Sequence, residues 1–328
     1  MRCISRAKSA ALVCVASISL FTGGCIGGKG ATPVTAYELK NYNQDLYQGK
    51  LYAEELCVAQ NDVALEGYTE DTELHSAALF DLTGERVLYS YKAHERLYPA
   101  STTKIMTALL AIENANLDDQ VTISGNADAS SFPADAQVCG LAKGEVWTLR
   151  DLLGALLLYS GNDAATAIAE YVGGSEEAFV NMMNRRTQEL MANGTHFMNP
   201  HGLHDDNHYT TAYDLYLIFN ECIKHEDFVN IIQSEAYTAY YTDVDGNSQE
   251  ALFTPTNLYA QGEVDVPENV TIVGGKTGTT DEAGYCLILM EKDSSDNPYI
   301  SIVMGASEKP VLYEDMTSLI EAIPSGQQ

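Results

Sequence analysis

The order of apolar and polar positions divides residues 74–323 into predicted strands at both ends and predicted helices in the middle. Residues 74–82 and 85–91 flank the turn pair Thr83-Gly84, a pattern typical of a β-hairpin. Helically spaced apolar positions follow, and the last third returns to strand-like runs before a final helix. The predicted helices cover 101–114, 149–159, 163–172, 176–192, 210–225 and 311–323, and the later strands cover 271–276, 284–291 and 299–305.

This order of elements predicts the fold class. Strands first, helices in the middle and strands last favour a mixed α+β fold, in which the early hairpin and the late strands join one sheet and helices pack on it. Polar residues over 293–297 predict the turn between the last two strands. A chain of 328 residues is long enough for a substantial core.

The N-terminal segment has the pattern of an export signal. Cations among the first eight residues precede an apolar run over 10–21, which is too short to span a bilayer comfortably. We therefore predict a signal peptide over 1–24, with a retained membrane anchor as the alternative. Small residues directly before Cys25 resemble a bacterial lipoprotein cleavage site, although Thr22 stands where such sites usually carry leucine. We predict lipid on Cys25 and a place on the outer face of the cytoplasmic membrane, with ordinary secretion as the alternative.

Charge and cysteine content limit the partners that this chain can have. The net charge of −28 argues against binding to nucleic acid. Residues 25–71 are predicted to be a tether followed by an acidic lead-in. The four cysteines that follow Cys25 lack the paired spacing of metal ligands, and the sequence does not decide whether they form disulfides. They are Cys57, Cys139, Cys222 and Cys286.

Ser101 and Lys104 form the first candidate for chemistry, because residues three apart share one face of a helix. A serine hydroxyl is a weak nucleophile and needs an adjacent base, and a desolvated lysine can be that base. The same spacing occurs at Ser5 and Lys8 within the predicted signal peptide. The pair alone is therefore weak, and its meaning depends on partners elsewhere in the chain.

Two further motifs follow in order. The triplet Ser-Gly-Asn at 160–162 lies between two apolar helices, and the run Lys-Thr-Gly-Thr at 276–279 ends a predicted strand. Similar triplets at 124–126 and 295–297 do not fit, because only 160–162 lies between the other two motifs and at a helix junction. This ordered set is the known signature of β-lactamases and penicillin-binding proteins.

The chain thereby resembles the serine D-alanyl-D-alanine carboxypeptidases, which are low-molecular-weight penicillin-binding proteins. The resemblance covers about residues 72–323, the predicted catalytic domain, and implies a β-lactamase/transpeptidase-like α+β fold. Such a fold has an antiparallel sheet flanked by helices plus an all-helical subdomain. Many members carry a further C-terminal β-domain, which we do not expect here. The matching stretches are 99–104, 159–165, 199–203, 210–215 and 275–278.

The resemblance implies a catalytic role for each motif residue. Ser101 attacks the carbonyl between two terminal D-alanines and forms an acyl-enzyme, and Lys104 is the base. Ser160 relays the proton to the leaving amine. Asn162 hydrogen-bonds Lys104 and the substrate amide.

The third motif is implied to bind the substrate. Lys276 supplies positive potential for the terminal carboxylate, together with the hydroxyls of Thr277 and Thr279. Gly278 lets the strand backbone pass close to the substrate. The backbone N–H groups of Ser101 and Thr279 form the oxyanion hole.

The function implied is removal of the terminal D-alanine from peptidoglycan stem pentapeptides, with β-lactam antibiotics as acylating inhibitors. A D,D-endopeptidase on cross-linked peptides and a non-catalytic β-lactam sensor or cell-wall binding protein stay open as alternatives. Residues 165–215 contain no loop like that of class A β-lactamases, which carries a glutamate for deacylation, so rapid drug hydrolysis is not expected.

A histidine-rich stretch is a candidate metal site. Its spacing suits zinc only on a helix, whereas Pro200 and Gly202 favour a loop. We therefore predict neither a metal nor any other cofactor. The candidate ligands in this stretch are His201, His204, His208, Asp205 and Asp206.

Overall fold

The computed structural model describes residues 55–65 and 76–324. The predicted signal peptide over 1–24, the predicted lipid site at Cys25 and most of the lead-in lie outside these residues. Within the described ranges, no helix is both long enough and apolar enough to cross a membrane.

The described elements are ordered as follows along the chain. The strands are β1 (Ser76–Asp81), β2 (Arg86–Tyr91), β3 (Gln120–Thr122), β4 (Val146–Thr148), β5 (Tyr237–Thr242), β6 (Ser248–Phe253), β7 (Val270–Thr280), β8 (Gly284–Asp293) and β9 (Pro298–Ala306). The α-helices are α1 (Lys104–Asn114), α2 (Leu149–Gly154), α3 (Asn162–Gly173), α4 (Glu176–Glu189), α5 (Ala212–Cys222), α6 (Glu226–Ile232), α7 (Leu258–Gln261) and α8 (Lys309–Glu321).

The main sheet has five antiparallel strands in the order β2-β1-β9-β8-β7, so the early hairpin and the late strands do join one sheet. Both of its faces are covered. Ala78 and Phe80 of β1 enter one apolar core, and Ala77 and Leu79 enter the other. Burial on both faces explains why these strands read as continuous apolar runs rather than as alternating patterns. The α+β fold class is confirmed.

A second sheet, in the order β3-β4-β5-β6, is formed by four strands that are absent from the predicted elements. The apolar and polar pattern of the sequence does not reveal this sheet, for two reasons. Strands β3 and β4 have three residues each, too few for a periodic signal. Strands β5 and β6 are largely exposed, so their composition is polar. Trp147 of β4 stacks on Tyr241 of β5, with ring centroids 4.2 Å apart, which ties the central pair together.

The larger core is built around α1. Its first eight residues are all buried, and the cluster that contains its apolar residues extends from the main sheet to α3 and α5. The predicted helix over 210–225 is shorter than expected and is followed by the separate helix α6. Residues 55–65, which we assigned to the lead-in, also contact this core. Cys57 is fully buried there, and its N–H donates to the Tyr216 hydroxyl at 2.9 Å.

Candidate active site

Ser101 and Lys104 lie at the start of the buried helix. Ser101 is in a 3₁₀ turn, Ala100–Thr103, and Lys104 is the first residue of α1. The Lys104 Nζ lies 2.8 Å from the Ser101 Oγ. Ala100 has a φ of 46°, a left-handed value that is uncommon for a non-glycine residue. The turn is therefore strained, and strain of this kind is often found where a functional side chain is held in place.

Lys104 is fully buried and surrounded by acceptors. Its Nζ lies 2.7 Å from the Asn162 Oδ1 and 2.6 Å from the carbonyl oxygen of His201. Desolvation lowers the pKa of Lys104 well below its usual value, and the nearby charge of Lys276 lowers it further. The structure thus brings together three of the predicted residues, Ser101, Lys104 and Asn162. The His201 carbonyl is an addition that side-chain motifs do not reveal.

Ser160 has the backbone geometry of a junction. The π-helical turn Ala155–Tyr159 ends at Ser160, whose φ is 70°, and α3 begins two residues later. The Lys276 Nζ donates to the Ser160 Oγ at 2.9 Å and to the Thr277 carbonyl at 2.8 Å. Burial lowers the pKa of Lys276 to about 7. The second and third motifs are thus joined by a hydrogen bond between their side chains.

Asp163 supports this junction and was not predicted to matter. Its buried carboxylate accepts the backbone N–H groups of Cys139, Gly140 and Leu141 at 2.9, 2.9 and 3.1 Å. These bonds hold the segment 139–141 against the start of α3. The only signal in the sequence is an acidic residue in the first turn of a helix, which is common and unspecific.

Strand β7 approaches the nucleophile turn closely at Gly278. A Cβ at this position would lie 2.9 Å from both the Pro99 carbonyl oxygen and the Ser101 nitrogen. Gly278 therefore allows contact with the nucleophile turn, a requirement that differs from the predicted approach to substrate. Within the described ranges β8 is the only strand that pairs with β7, so the other edge of β7 is free, and a free strand edge is the kind of surface to which extended peptides add.

A cavity of about 950 Å³ opens along this free edge. It contains the predicted nucleophile and members of the other two motifs, whereas Lys104 and Lys276 lie beneath its surface. Six of the predicted site residues therefore line one concave site, and a seventh lies directly behind it. They are Ser101, Ser160, Asn162, Thr277, Gly278 and Thr279, with Lys276 directly behind Ser160.

Two histidines of the histidine-rich stretch, His201 and His208, hold loops together. The His208 Nε2 lies 2.8 Å from the Thr103 Oγ1, and burial lowers the pKa of His208 to about 4. The His201 Nδ1 accepts the N–H of Leu203 at 3.2 Å. Thr103 and the His201 carbonyl both neighbour the Ser101–Lys104 pair, so this loop supports the site from behind.

A different set of ligand-type residues converges within the described ranges, namely Glu113, Glu221 and His225. Arg186 already pairs with two of them, at 2.6 Å from Glu113 and 3.3 Å from Glu221. A guanidinium in this position competes with a cation for the same oxygens, so the group forms an ion-pair network.

Comparison with known proteins decides the family. The family model described as D-alanyl-D-alanine carboxypeptidase, peptidase family S11, matches residues 64–308. The chain belongs to this family. The resemblance drawn from the three motifs is thereby confirmed.

Relatives within the D-alanyl-D-alanine carboxypeptidase family include DacF of Bacillus subtilis, 34% identical over 254 residues, covering 76% of this chain and 61% of DacF. DacC of Escherichia coli is 31% identical over 249 residues, covering 74% of this chain and 59% of DacC. The chain thus spans about three fifths of the length of these curated relatives. Among solved structures, the Streptomyces K15 DD-transpeptidase is 28% identical with a TM-score of 0.71, and the match covers 78% of this chain and 98% of that one.

Proposed function

We propose that this protein is a serine D-Ala-D-Ala carboxypeptidase that removes the terminal D-alanine from peptidoglycan stem pentapeptides. The observation that carries the proposal is the Ser101–Lys104 pair, 2.8 Å apart, in a cavity along the free edge of β7. Membership in the family supports the reaction class. The names of the curated relatives favour carboxypeptidase activity over the endopeptidase and sensor alternatives.

Lys104 is suited to act as the base because of its other two contacts. The Asn162 Oδ1 and the His201 carbonyl are acceptors only, so each takes one N–H of the lysine. A neutral amine has two N–H groups and one lone pair, which then faces the Ser101 hydroxyl. The lowered pKa of Lys104 favours that neutral form. Ser101 therefore gives its proton to Lys104 as its oxygen attacks the scissile carbonyl.

Ser160 completes proton transfer to the leaving group. Its hydroxyl accepts from Lys276 at 2.9 Å, which leaves its own proton free to point into the cavity. The D-alanine nitrogen takes that proton as its bond to the carbonyl carbon breaks, and Lys104 restores the proton to Ser160. Free D-alanine leaves, and water then hydrolyses the acyl bond to Ser101 and returns the enzyme to its starting state.

The free edge of β7 binds the peptide in an extended conformation. The terminal carboxylate lies near Thr277 and is attracted by the charge of Lys276. The scissile carbonyl lies between the backbone N–H groups of Ser101 and Thr279, which stabilise its developing negative charge. Removal of one such donor typically costs about 10²–10³-fold in kcat. A β-lactam acylates Ser101 in the same position, but its leaving amine stays tethered to the acyl group.

One observation supports an amine, in addition to water, as an acceptor of the acyl group on Ser101. The solved K15 structure, which the chain covers almost fully, is named a DD-transpeptidase. The same acyl-enzyme then passes its acyl group to an amine instead of water, with the amine losing a proton. Product analysis with and without an added amine acceptor separates hydrolysis from transfer.

We further propose that the protein is exported and tethered through lipid on Cys25, with the catalytic domain over about 72–323. The cations and the apolar run before Cys25 support this proposal. Full-length protein and a Cys25→Ser variant are compared by membrane fractionation. Equal membrane association of the variant would reject lipid attachment.

Release of D-alanine from an acetylated peptide ending in D-Ala-D-Ala tests the proposed reaction. We expect release by the native chain, and loss of release with Ser101→Ala. The matched control is Ser295→Ala, an exposed serine in a turn, which should keep full activity. Unchanged release by Ser101→Ala would reject the proposal.

A further inference from the structure

Two acidic side chains follow the substrate-binding strand directly. Beyond Thr280, β7 enters a turn that begins with Asp281 and Glu282, both exposed. Both residues line the catalytic cavity, and both also line a neighbouring cavity of about 550 Å³. They therefore form the shared rim between the two cavities. We call this pair the acidic rim.

The direction of the peptide along β7 places the acidic rim on its acyl side. The proposed carboxylate position is at Thr277 and the proposed carbonyl position is at Thr279. Followed from its C-terminal carboxylate back toward its N-terminus, the peptide therefore runs toward higher residue numbers of β7. An extended chain advances about 3.3 Å per residue. The residue before D-Ala-D-Ala therefore lies roughly one or two positions beyond Thr279. Its side chain then reaches Asp281 and Glu282.

The charges around this position favour a cation. The Glu282 carboxylate lies 3.9 Å from the His204 Nδ1, and His204 also contacts Asp206, another acid of the neighbouring cavity. In the described ranges, no cation forms an ion pair with Asp281. Arg96 of the neighbouring cavity lies over the Tyr209 ring, 4.6 Å from its centroid. Lys309 is a cation in the lining of the catalytic cavity, but the acids Asp135, Asp281 and Glu282 line it too, so the space where the peptide continues keeps net negative charge.

We propose that Asp281 and Glu282 select stem peptides whose third residue, the one before D-Ala-D-Ala, carries a side-chain amine. This inference rests on the proposed function, because the direction of the peptide follows from the proposed carboxylate and carbonyl positions. Both lysine and meso-diaminopimelate supply such an amine. The attraction acts across partly exposed groups, so it gives a modest preference that weakens with salt.

The test uses acetylated tripeptides ending in D-Ala-D-Ala, with lysine or meso-diaminopimelate first, each with its side-chain amine free or acetylated. We expect kcat/KM to be about three- to tenfold higher with the free amine, and the larger ratio identifies the natural source. The variant carrying both Asp281→Asn and Glu282→Gln should bring the ratio near one. The control Glu250→Gln removes an exposed acid from β6 and should keep the ratio.

A second readout separates this proposal from the proposed function. The same peptides compete with fluorescent penicillin for acylation of Ser101, which requires binding but no release of D-alanine. Better protection by the free amines, lost in the double variant and at high salt, supports the acidic rim even if no peptide is hydrolysed. Equal kcat/KM and equal protection for free and acetylated amines would overturn it, as would an unchanged preference in the double variant.

Discussion

Replacing Gly278 by alanine tests whether the contact between β7 and the nucleophile turn positions Ser101. The new Cβ would lie 2.9 Å from the Pro99 oxygen and the Ser101 nitrogen, and 3.0 Å from the Thr102 nitrogen. All three are backbone atoms, so no side chain can rotate away. Ordinary contact begins near 3.4 Å, so the strand and the turn must separate by about 0.5 Å.

This separation has a stability cost and a larger catalytic cost. Inserting one methyl into a well-packed site typically costs about 1–3 kcal/mol. Misplacement of reacting groups by about 1 Å costs about 10²-fold in rate, so half that shift implies roughly tenfold. We expect Gly278→Ala to slow acylation of Ser101 by fluorescent penicillin at least about tenfold, while the protein still unfolds cooperatively in urea.

Gly125→Ala is the matched control, because a Cβ there meets its nearest atom, the Lys143 Cδ, at 3.8 Å. It should acylate at the native rate. Native acylation by Gly278→Ala would refute the argument that this close approach fixes the oxyanion donor. The urea transition shows whether Gly278→Ala is folded, so slow acylation by a misplaced Ser101 can be told apart from slow acylation by an unfolded protein.

Three further predictions concern charge and packing. Neither carboxyl oxygen of the fully buried Glu291 has a hydrogen-bond partner within the described ranges, and burial raises its pKa well above 4.5. The unfolded chain loses this proton near pH 4.5 and the folded chain keeps it, so native stability falls by up to about 1.4 kcal/mol per pH unit as pH rises above 4.5. Urea titrations from pH 5.5 to 7.5 should therefore show a growing advantage of Glu291→Gln, and parallel curves would contradict this. With a pKa of about 7, Lys276 goes from about nine-tenths charged at pH 6 to about one-tenth charged at pH 8. KM for the peptide should therefore rise about tenfold over this pH range. An unchanged KM would argue against attraction of the terminal carboxylate by Lys276. Gly161→Ala places a Cβ in direct conflict with the Cys139 Sγ and should slow acylation of Ser101. Adding Cys139→Ala should partly restore the acylation rate, and simple additivity of the two substitutions would contradict this coupling.

The parts of the fold that the sequence predicted are those with continuous apolar signals. Strands β1, β8 and β9 are buried on both faces, and α1 and α3 bury most of their length, so composition alone marked them. The second sheet went unpredicted because its strands are short or largely exposed. Their pairing depends on contacts between distant segments, such as Trp147 with Tyr241, that a local pattern cannot contain.

In the candidate site too, some residues have a clear signal in the sequence and others have none. Motif order found Ser101, Lys104 and Asn162 because each side chain acts directly and has a fixed residue type. The His201 carbonyl and the Asp163 carboxylate were missed for different reasons. A backbone acceptor leaves no trace in residue type, and an acid early in a helix has many ordinary explanations.

The central claim is that Ser101 forms an acyl-enzyme as D-alanine leaves. Its most direct test is rapid acid quenching of the protein with an acetylated lysyl-D-Ala-D-Ala peptide, followed by mass spectrometry of the digested chain. The account predicts an adduct equal to the peptide minus one D-alanine, carried only by the fragment that contains Ser101, and its absence in Ser101→Ala. Release of D-alanine without any adduct, or an adduct on another residue, would contradict the account.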